Sequence, residues 1–295
     1  MSQLVASKTD EITVYDAIRH GESVLKAYDK KDASIDARLL MRHLLDWDEA
    51  KLILNHKMTL SEHIKESYLY LIAKRAQGIP LQYIIKSQEF MGLEFFVDER
   101  VLIPRQDTET LVEHLLELAK KERIKKVIEI GVGSGCISIS LAYYGGEMRI
   151  TAIDISEDAL DVAKRNGNLH GVNEYIEYVK SDGFTNYKGE DESVDLIVSN
   201  PPYISEIDCR ELMTEVKCYE PLIALTDGGD GLYFYRTLSK EGKRFLKPGG
   251  IIAYEIGYDQ GEAVREILMK EGYCSIEVLK DLPGKDRVVI ARKPL

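Results

Sequence analysis

The sequence is short of the residues that build redox centres and metal sites, and it lacks the long apolar runs that cross membranes. Its four cysteines, Cys136, Cys209, Cys218 and Cys274, are scattered over 295 residues with no Cys-x-x-Cys pair. This spacing argues against a redox motif or a zinc site and predicts reduced thiols in a cytoplasmic protein. The six histidines, His20, His43, His56, His63, His114 and His170, show no metal-ligand spacing, so no metal is expected. No segment approaches the roughly 18 apolar residues of a membrane span. The opening stretch Met1 to Asp10 has no apolar core of the signal-peptide kind, so no membrane partner is expected. Basic charge is also scarce: 39 Lys and Arg stand against 50 Asp and Glu, a net charge of −11. Non-specific nucleic-acid affinity comes mainly from Lys and Arg, so no direct nucleic-acid partner is expected. The deficit is uneven. Residues 1–86 hold 13 Lys and Arg against 12 Asp and Glu, which leaves the excess acid on the remainder.

What is present is a change of texture along the chain. Ile12 to Tyr28, Ile35 to Leu45 and Leu60 to Ala76 carry apolar residues at helical spacing, and Thr59 with Glu62 resembles a capping box. Gly78 and Pro80 end that region. Glu89 to Val97 reads as a hairpin around Gly92, and Asp107 to Lys121 as a helix with acid in its first turn. From Lys126 onward strands and helices alternate. Strands are expected over 126–130, 150–153, 176–180, 194–199 and 251–256, with helices over 136–144, 156–169, 232–246 and 263–270. Two last strands, 275–279 and 288–291, are joined too closely for a crossover helix and should be antiparallel. The fold class is therefore α/β, a doubly wound and mostly parallel sheet with an antiparallel last strand, preceded by a small helical domain. The expected domains are 1–85, a hairpin connector at 86–104, and 105–295.

Two motifs fall at strand ends of this sheet. The first is Gly131-Val132-Gly133-Ser134-Gly135 after Glu129. Glycines permit a sharp turn and close approach of backbone to a ligand, and the first strand-to-helix junction lies at the switch point where such sheets bind ligands. The dinucleotide fingerprint would require glycine at Cys136, so a nucleoside cofactor other than a dinucleotide is favoured. Asp154, at the end of the second strand, can accept from two ribose hydroxyls. Asp182, after the third, is placed for an adenine amino group, with Gly183 beside it. Glu129 would face an ammonium group.

The second motif is Asn200-Pro201-Pro202-Tyr203, directly after the apolar run 195–199. Two prolines remove two backbone donors and fix φ, which frees carbonyls to point at a ligand. An NH2 group needs two acceptors to orient both hydrogens. The Asn200 side-chain oxygen and the Pro201 carbonyl can supply them, and Tyr203 offers an aromatic face. Together the motifs suggest transfer of a methyl group from S-adenosyl-L-methionine to an NH2 group, with S-adenosyl-L-homocysteine as product and Asn200 also bordering the cofactor.

From about residue 88 to the end, the chain resembles the protein glutamine-N5 methyltransferases that modify peptide chain release factors. The resemblance rests on Phe90 to Phe95 with Val101 to Arg105, the glycine loop with Asp154-Ile155-Ser156, and Ser199 to Ile204. Tyr219-Glu220-Pro221 with Asp230-Gly231-Leu232, Glu255-Ile256-Gly257 with Gln260, and Asp281 to Val288 complete it. Two departures are Val132 where the family usually has Thr and Gln106 where it has Pro. An aromatic adenine contact of some relatives would fall at Gly183, where only backbone is available.

The resemblance implies a seven-stranded class I methyltransferase sheet. It also implies a glutamine acceptor in a Gly-Gly-Gln segment, with release factors as protein partners of a monomeric, cytoplasmic enzyme. An amide nitrogen is a poor nucleophile, so in-line displacement would be driven mostly by positioning. A sulfonium leaving group removes the need for a strong base. The helical N-terminal domain would read the protein substrate. Two rivals share the chemistry. An enzyme acting on a ribosomal-protein glutamine would share the whole site. An adenine-N6 methyltransferase would need a basic groove. A non-catalytic nucleotide-binding protein would have no use for Asn200 and Tyr203 beside the cofactor loop.

Overall fold

In a computed structural model of the protein, the structure describes residues 12–295. The stretch Met1 to Asp10, read above for a signal peptide, lies outside them. The chain divides into two compact units, Met1–Ile85 and Lys86–Leu295.

The first unit is helical: α1 (Val14–Ala27), α2 (Ala33–Leu45), α3 (Glu49–Leu54), α4 (Glu62–Ala76) and α5 (Leu81–Ile85). Val14, Leu25, Leu40, Met41, Tyr68 and Ile72 form its buried centre. Gly21 lies against Tyr68 and Ile72, where a Cβ would come within 2.4 Å of the Tyr68 hydroxyl. Glycine inside a helix costs about 1 kcal/mol relative to alanine, and here it lets α1 and α4 approach. The buried ion pair Arg75–Asp36, at 2.6 Å, crosslinks α4 to α2. The capping box expected at Thr59 and Glu62 is not there. α4 begins at Glu62, so its N-cap is Ser61, which accepts from the Ile64 amide. Thr59 instead bridges Thr13. The reciprocal capping box sits at Thr13 and Asp16, at the start of α1.

The second unit opens with the hairpin β1 (Gln88–Phe90) and β2 (Leu93–Phe95). Its turn residues Met91 and Gly92 both have positive φ, 53° and 71°, as a tight two-residue turn requires. After α6 (Gln106–Lys121) come β3 (Lys126–Ile130), α7 (Cys136–Tyr144), β4 (Arg149–Asp154), α8 (Glu157–Leu169), β5 (Ile176–Lys180) and β6 (Val194–Ser199). The short helices α9 (Glu206–Cys209) and α10 (Thr214–Tyr219), which the sequence reading missed, precede α11 (Tyr233–Gly242). The chain ends with β7 (Leu246–Glu255), α12 (Gly261–Lys270), β8 (Cys274–Lys280) and β9 (Asp286–Arg292).

The seven-stranded sheet has the order β5-β4-β3-β6-β7-β9-β8. β9 is antiparallel to both of its neighbours, and the other pairings are parallel. The central strands are near-continuous buried apolar runs, as helices on both faces demand. In the second unit two boundaries differ from expectation by more than two residues. The helix predicted over 232–246 stops at Gly242, which packs closely on Ile197 and Phe184. β7 begins early, at Leu246, and loops out Lys247 to Gly250, so the partner of Val194 is Leu246 but the partner of Leu196 is Ile251. The chain order reverses between β3 and β6, which makes their carboxyl ends the switch point.

Candidate active site

Backbone strain is resolved by glycine at the end of β3. Gly131, Gly133 and Gly135 all have positive φ, at 78°, 53° and 84°, a region that costs other residues about 1–2 kcal/mol. The amides of Gly131 and Val132 donate to the Ile153 carbonyl, 2.8 and 3.2 Å away, and the Gly133 amide donates to Asp154 Oδ2 at 3.0 Å. The third glycine serves packing: a Cβ on Gly135 would lie 2.7 Å from Ile139 Cδ1 and 3.2 Å from Ala163. Space beside Gly133 is open, with nothing within 4 Å of an added Cβ. Asn166, fully buried in α8, donates to the Ser134 carbonyl at 2.9 Å and so holds the loop from behind.

Two acids close the cofactor end. Asp154 receives amide hydrogens from Gly133 and Ser156, and burial still raises its pKa against them. Glu129 is 1% exposed. Its Oε2 accepts from both the amide and the hydroxyl of Ser138, and burial pushes its pKa up to about 8. A bound ammonium would stabilise the carboxylate that burial destabilises.

The acceptor end is stitched to the same place. Ser199 Oγ donates to the Ile130 carbonyl at 2.7 Å, joining the ends of β6 and β3. A Cβ on Gly131 would stand 3.9 Å from the Asn200 carbonyl oxygen. Asn200 Nδ2 donates to Thr108 Oγ1 at 3.3 Å, and Thr108 donates to Glu255 Oε2 at 2.5 Å. The Tyr203 phenol donates to Glu255 Oε1 at 3.2 Å. Glu255, at the carboxyl end of β7, is 1% exposed, and burial pushes its pKa up to about 7 against the Thr108 hydrogen bond and the nearby Arg287. Gln260 Nε2 donates to the Tyr203 carbonyl at 2.9 Å, and Gln260 Oε1 accepts from Gly257 N at 2.9 Å.

One cavity of about 380 Å³ receives both ends, a size typical of small-ligand sites. Glu129, Gly131, Val132, Gly133 and Ser134 line it on the glycine-loop side, with Asp154, Asp182 and Gly183 beyond them. Asn200, Pro201 and Pro202 line the acceptor side. Gly135 and Tyr203 do not border it. Tyr203 packs its ring against the core of the sheet. Two wall segments are clamped together by Glu220, which accepts from Arg105 at 2.5 Å and from the Ile103 amide at 3.3 Å. The donor set fits a nucleoside carrying an ammonium: a buried acid at one end, an acid on two loop amides in the middle, and open glycine backbone between them.

Thr108, Asn166 and the role of Glu255 were not foreseen. For Glu255 the signals were its place in the resemblance segment 255–257 and the charge it sets at the end of the apolar run 251–254. Thr108 sits in the first turn of a surface helix, and Asn166 in an otherwise ordinary amphipathic one, so neither carried any.

Residues 16–85 match the PrmC N-terminal domain family, and residues 105–233 match the methyltransferase small domain family. A release factor glutamine methyltransferase of Clostridium acetobutylicum is 41% identical over 278 residues, which covers 94% of this chain and 98% of that one. One from Bacillus subtilis is 36% identical over 289 residues, covering 95% and 97%. Among solved structures, a methyltransferase from Pyrococcus furiosus aligns with a TM-score of 0.52 at 21% identity, over 76% of this chain and 98% of that one. The hMettl16 catalytic domain aligns with a TM-score of 0.55 at 18% identity, over 75% and 81%. These two likenesses speak for the fold.

Proposed function

Since this chain belongs to the release factor glutamine methyltransferase family, we propose that it methylates the side-chain N5 of the glutamine in the Gly-Gly-Gln segment of peptide chain release factors. The observation that carries this reading is the single cavity shared by the glycine loop with Glu129 and Asp154 and by Asn200 with Pro201. When bound, S-adenosyl-L-methionine supplies an electrophilic methyl group on a sulfonium and leaves as S-adenosyl-L-homocysteine. Glu129 holds the ammonium of its methionine part, Asp154 the ribose hydroxyls and Asp182 the adenine amino group, with Val132, Ser134 and Gly183 giving backbone contact.

Asn200 Oδ1 and the Pro201 carbonyl accept the two N–H bonds of the glutamine amide. Held this way, the nitrogen presents its lone pair to the cofactor side, which converts a weak nucleophile into a positioned one. The amide proton leaves after transfer, so no strong base is required of the chain. Tyr203, its phenol tied to Glu255 and its ring packed against the core, braces the loop from behind. The helical unit reads the body of the protein substrate, and the enzyme acts as a cytoplasmic monomer.

The test is transfer from labelled S-adenosyl-L-methionine to a purified release factor, a ribosomal protein and duplex DNA, with the product mapped by peptide mass spectrometry. Label on the Gly-Gly-Gln glutamine supports the reading. Label on the ribosomal protein or DNA instead overturns the substrate.

A further inference from the structure

The Asn200 carboxamide poses a question of polarity. Its two ends have nearly the same shape, so sterics alone do not decide whether oxygen or nitrogen faces the acceptor. Hydrogen bonding does. Thr108 has one hydroxyl hydrogen, and it is committed to Glu255 Oε2 at 2.5 Å in a buried setting. An ionised carboxylate only accepts. What Thr108 turns toward Asn200, 3.3 Å away, is therefore a lone pair, and only Nδ2 can meet it. Oδ1 is left for the substrate. Glu255 is held on its other oxygen by the Tyr203 phenol at 3.2 Å. Tyr203 is itself fixed through its carbonyl by Gln260. The Pro201 carbonyl, being backbone, has no such freedom to flip.

We propose that Thr108 and Glu255 are positioning residues that hold the Asn200 carboxamide with its oxygen toward the acceptor, so that the site takes an NH2 group and rejects a group that offers only lone pairs. This rests on the glutamine reading above. A flipped Asn200 would set its own N–H bonds against those of the acceptor amide and leave both without a partner there, a penalty of the kind that dominates polar discrimination. The same chain of bonds reverses if Glu255 is protonated. The acid then donates to Thr108, Thr108 donates to Asn200 Oδ1, and nitrogen faces the acceptor. The charged and titratable groups facing Glu255 are Arg287 from β9, Asp107 from α6, the Tyr203 phenol and the Cys136 thiol of α7, with the Tyr235 phenol of α11 on its main-chain carbonyl.

The test compares wild type with Thr108→Val, Thr108→Ser and Glu255→Gln. It measures kcat and KM on a release factor, cofactor affinity, and inhibition by the same release factor with Gly-Gly-Glu in place of Gly-Gly-Gln. That competitor presents a carboxylate, which only accepts. T108V should lose about tenfold to a hundredfold in kcat, the scale for losing a partner that orients a functional side chain, while cofactor affinity stays within about twofold. T108S should recover most of the loss, because it restores the hydroxyl. The Gly-Gly-Glu competitor should gain on T108V by about tenfold relative to wild type, since a freed Asn200 can turn its nitrogen to a carboxylate; loss of packing alone would not produce that gain. Wild-type kcat should fall as pH drops through about 7, and E255Q should flatten that profile even if T108V proves too unstable to assay. An unchanged competitor ratio in T108V, failure of T108S to rescue, or a pH profile that persists in E255Q overturns the inference while the substrate reading stands. Wild type that leaves the Gly-Gly-Gln glutamine unlabelled overturns both.

Discussion

Two glutamates stand at the carboxyl ends of two strands of one sheet, each 1% exposed, and they are put to different uses. Glu129 is the last residue but one of β3, and Glu255 is the last of β7. Burial raises the pKa of both, to about 8 and about 7. Glu129 receives both of its hydrogen bonds on Oε2, from one residue, Ser138. Its other oxygen is left for a ligand in the cavity it lines. Glu255 has both oxygens engaged, by Thr108 and Tyr203, and does not border the cavity. The same side chain at equal depth is a ligand site where its partners leave it unfinished and a scaffold where they complete it. Burial and pKa alone would have scored the two alike.

The comparison can be broken most strongly at the residue between the two ends. Asn200→Ala should lower kcat by about 10³ or more, the upper range for removing a positioned polar group, while cofactor affinity measured by calorimetry changes by no more than about twofold. Equal loss of both would merge the two ends into one function. Next, Glu129→Gln should weaken cofactor binding by roughly 10- to 100-fold, because a desolvated charge partner is removed, with a smaller change in kcat at saturating cofactor.

The pH dependence sharpens the same contrast. Without cofactor, the folded pKa of Glu129 lies above its ordinary value of 4.5. Folding therefore takes up a proton between pH 4.5 and about 8, and the contribution of Glu129 to ligand-free stability falls as pH rises through that window. Cofactor binding runs the other way, because the ammonium requires the carboxylate. Affinity should rise roughly tenfold per pH unit below about 8 and level off above it, and E129Q should abolish the slope. Smallest of all, Tyr203→Phe should cost no more than about fivefold in kcat, since it removes one of two hydrogen bonds on Glu255 and keeps the ring. A larger loss would move Tyr203 from brace to direct participant.

Much of this was legible from residue order. The strands 126–130 and 194–199 fall where the apolar runs place them, because a strand covered on both faces must be largely apolar. Helix α8 was bracketed by Ser156 and Gly171, whose cap and positive φ are local matters. The glycine loop and Asn200-Pro201-Pro202 were visible because their conformations need particular residue types. The errors lie where a neighbour decides. Thr59 and Glu62 have capping-box spacing, yet the bridge from Thr59 to Thr13 takes it out of the helix. The helix from Tyr233 ends at Gly242, short of Leu246, which starts β7 and pairs with Val194.

What the sequence by itself determined is the α/β order, the antiparallel last strand, the two loops that meet at the switch point, and the kinds of chemical group each loop can hold. These follow from periodicity and from the conformational limits of glycine and proline, which act over a few residues. What only the tertiary structure decided is which way the Asn200 carboxamide faces and which buried glutamate is left open. Thr108 lies 92 residues before Asn200 and 147 before Glu255. A hydrogen bond needs its atoms within about 3 Å and says nothing about how far apart they stand along the chain.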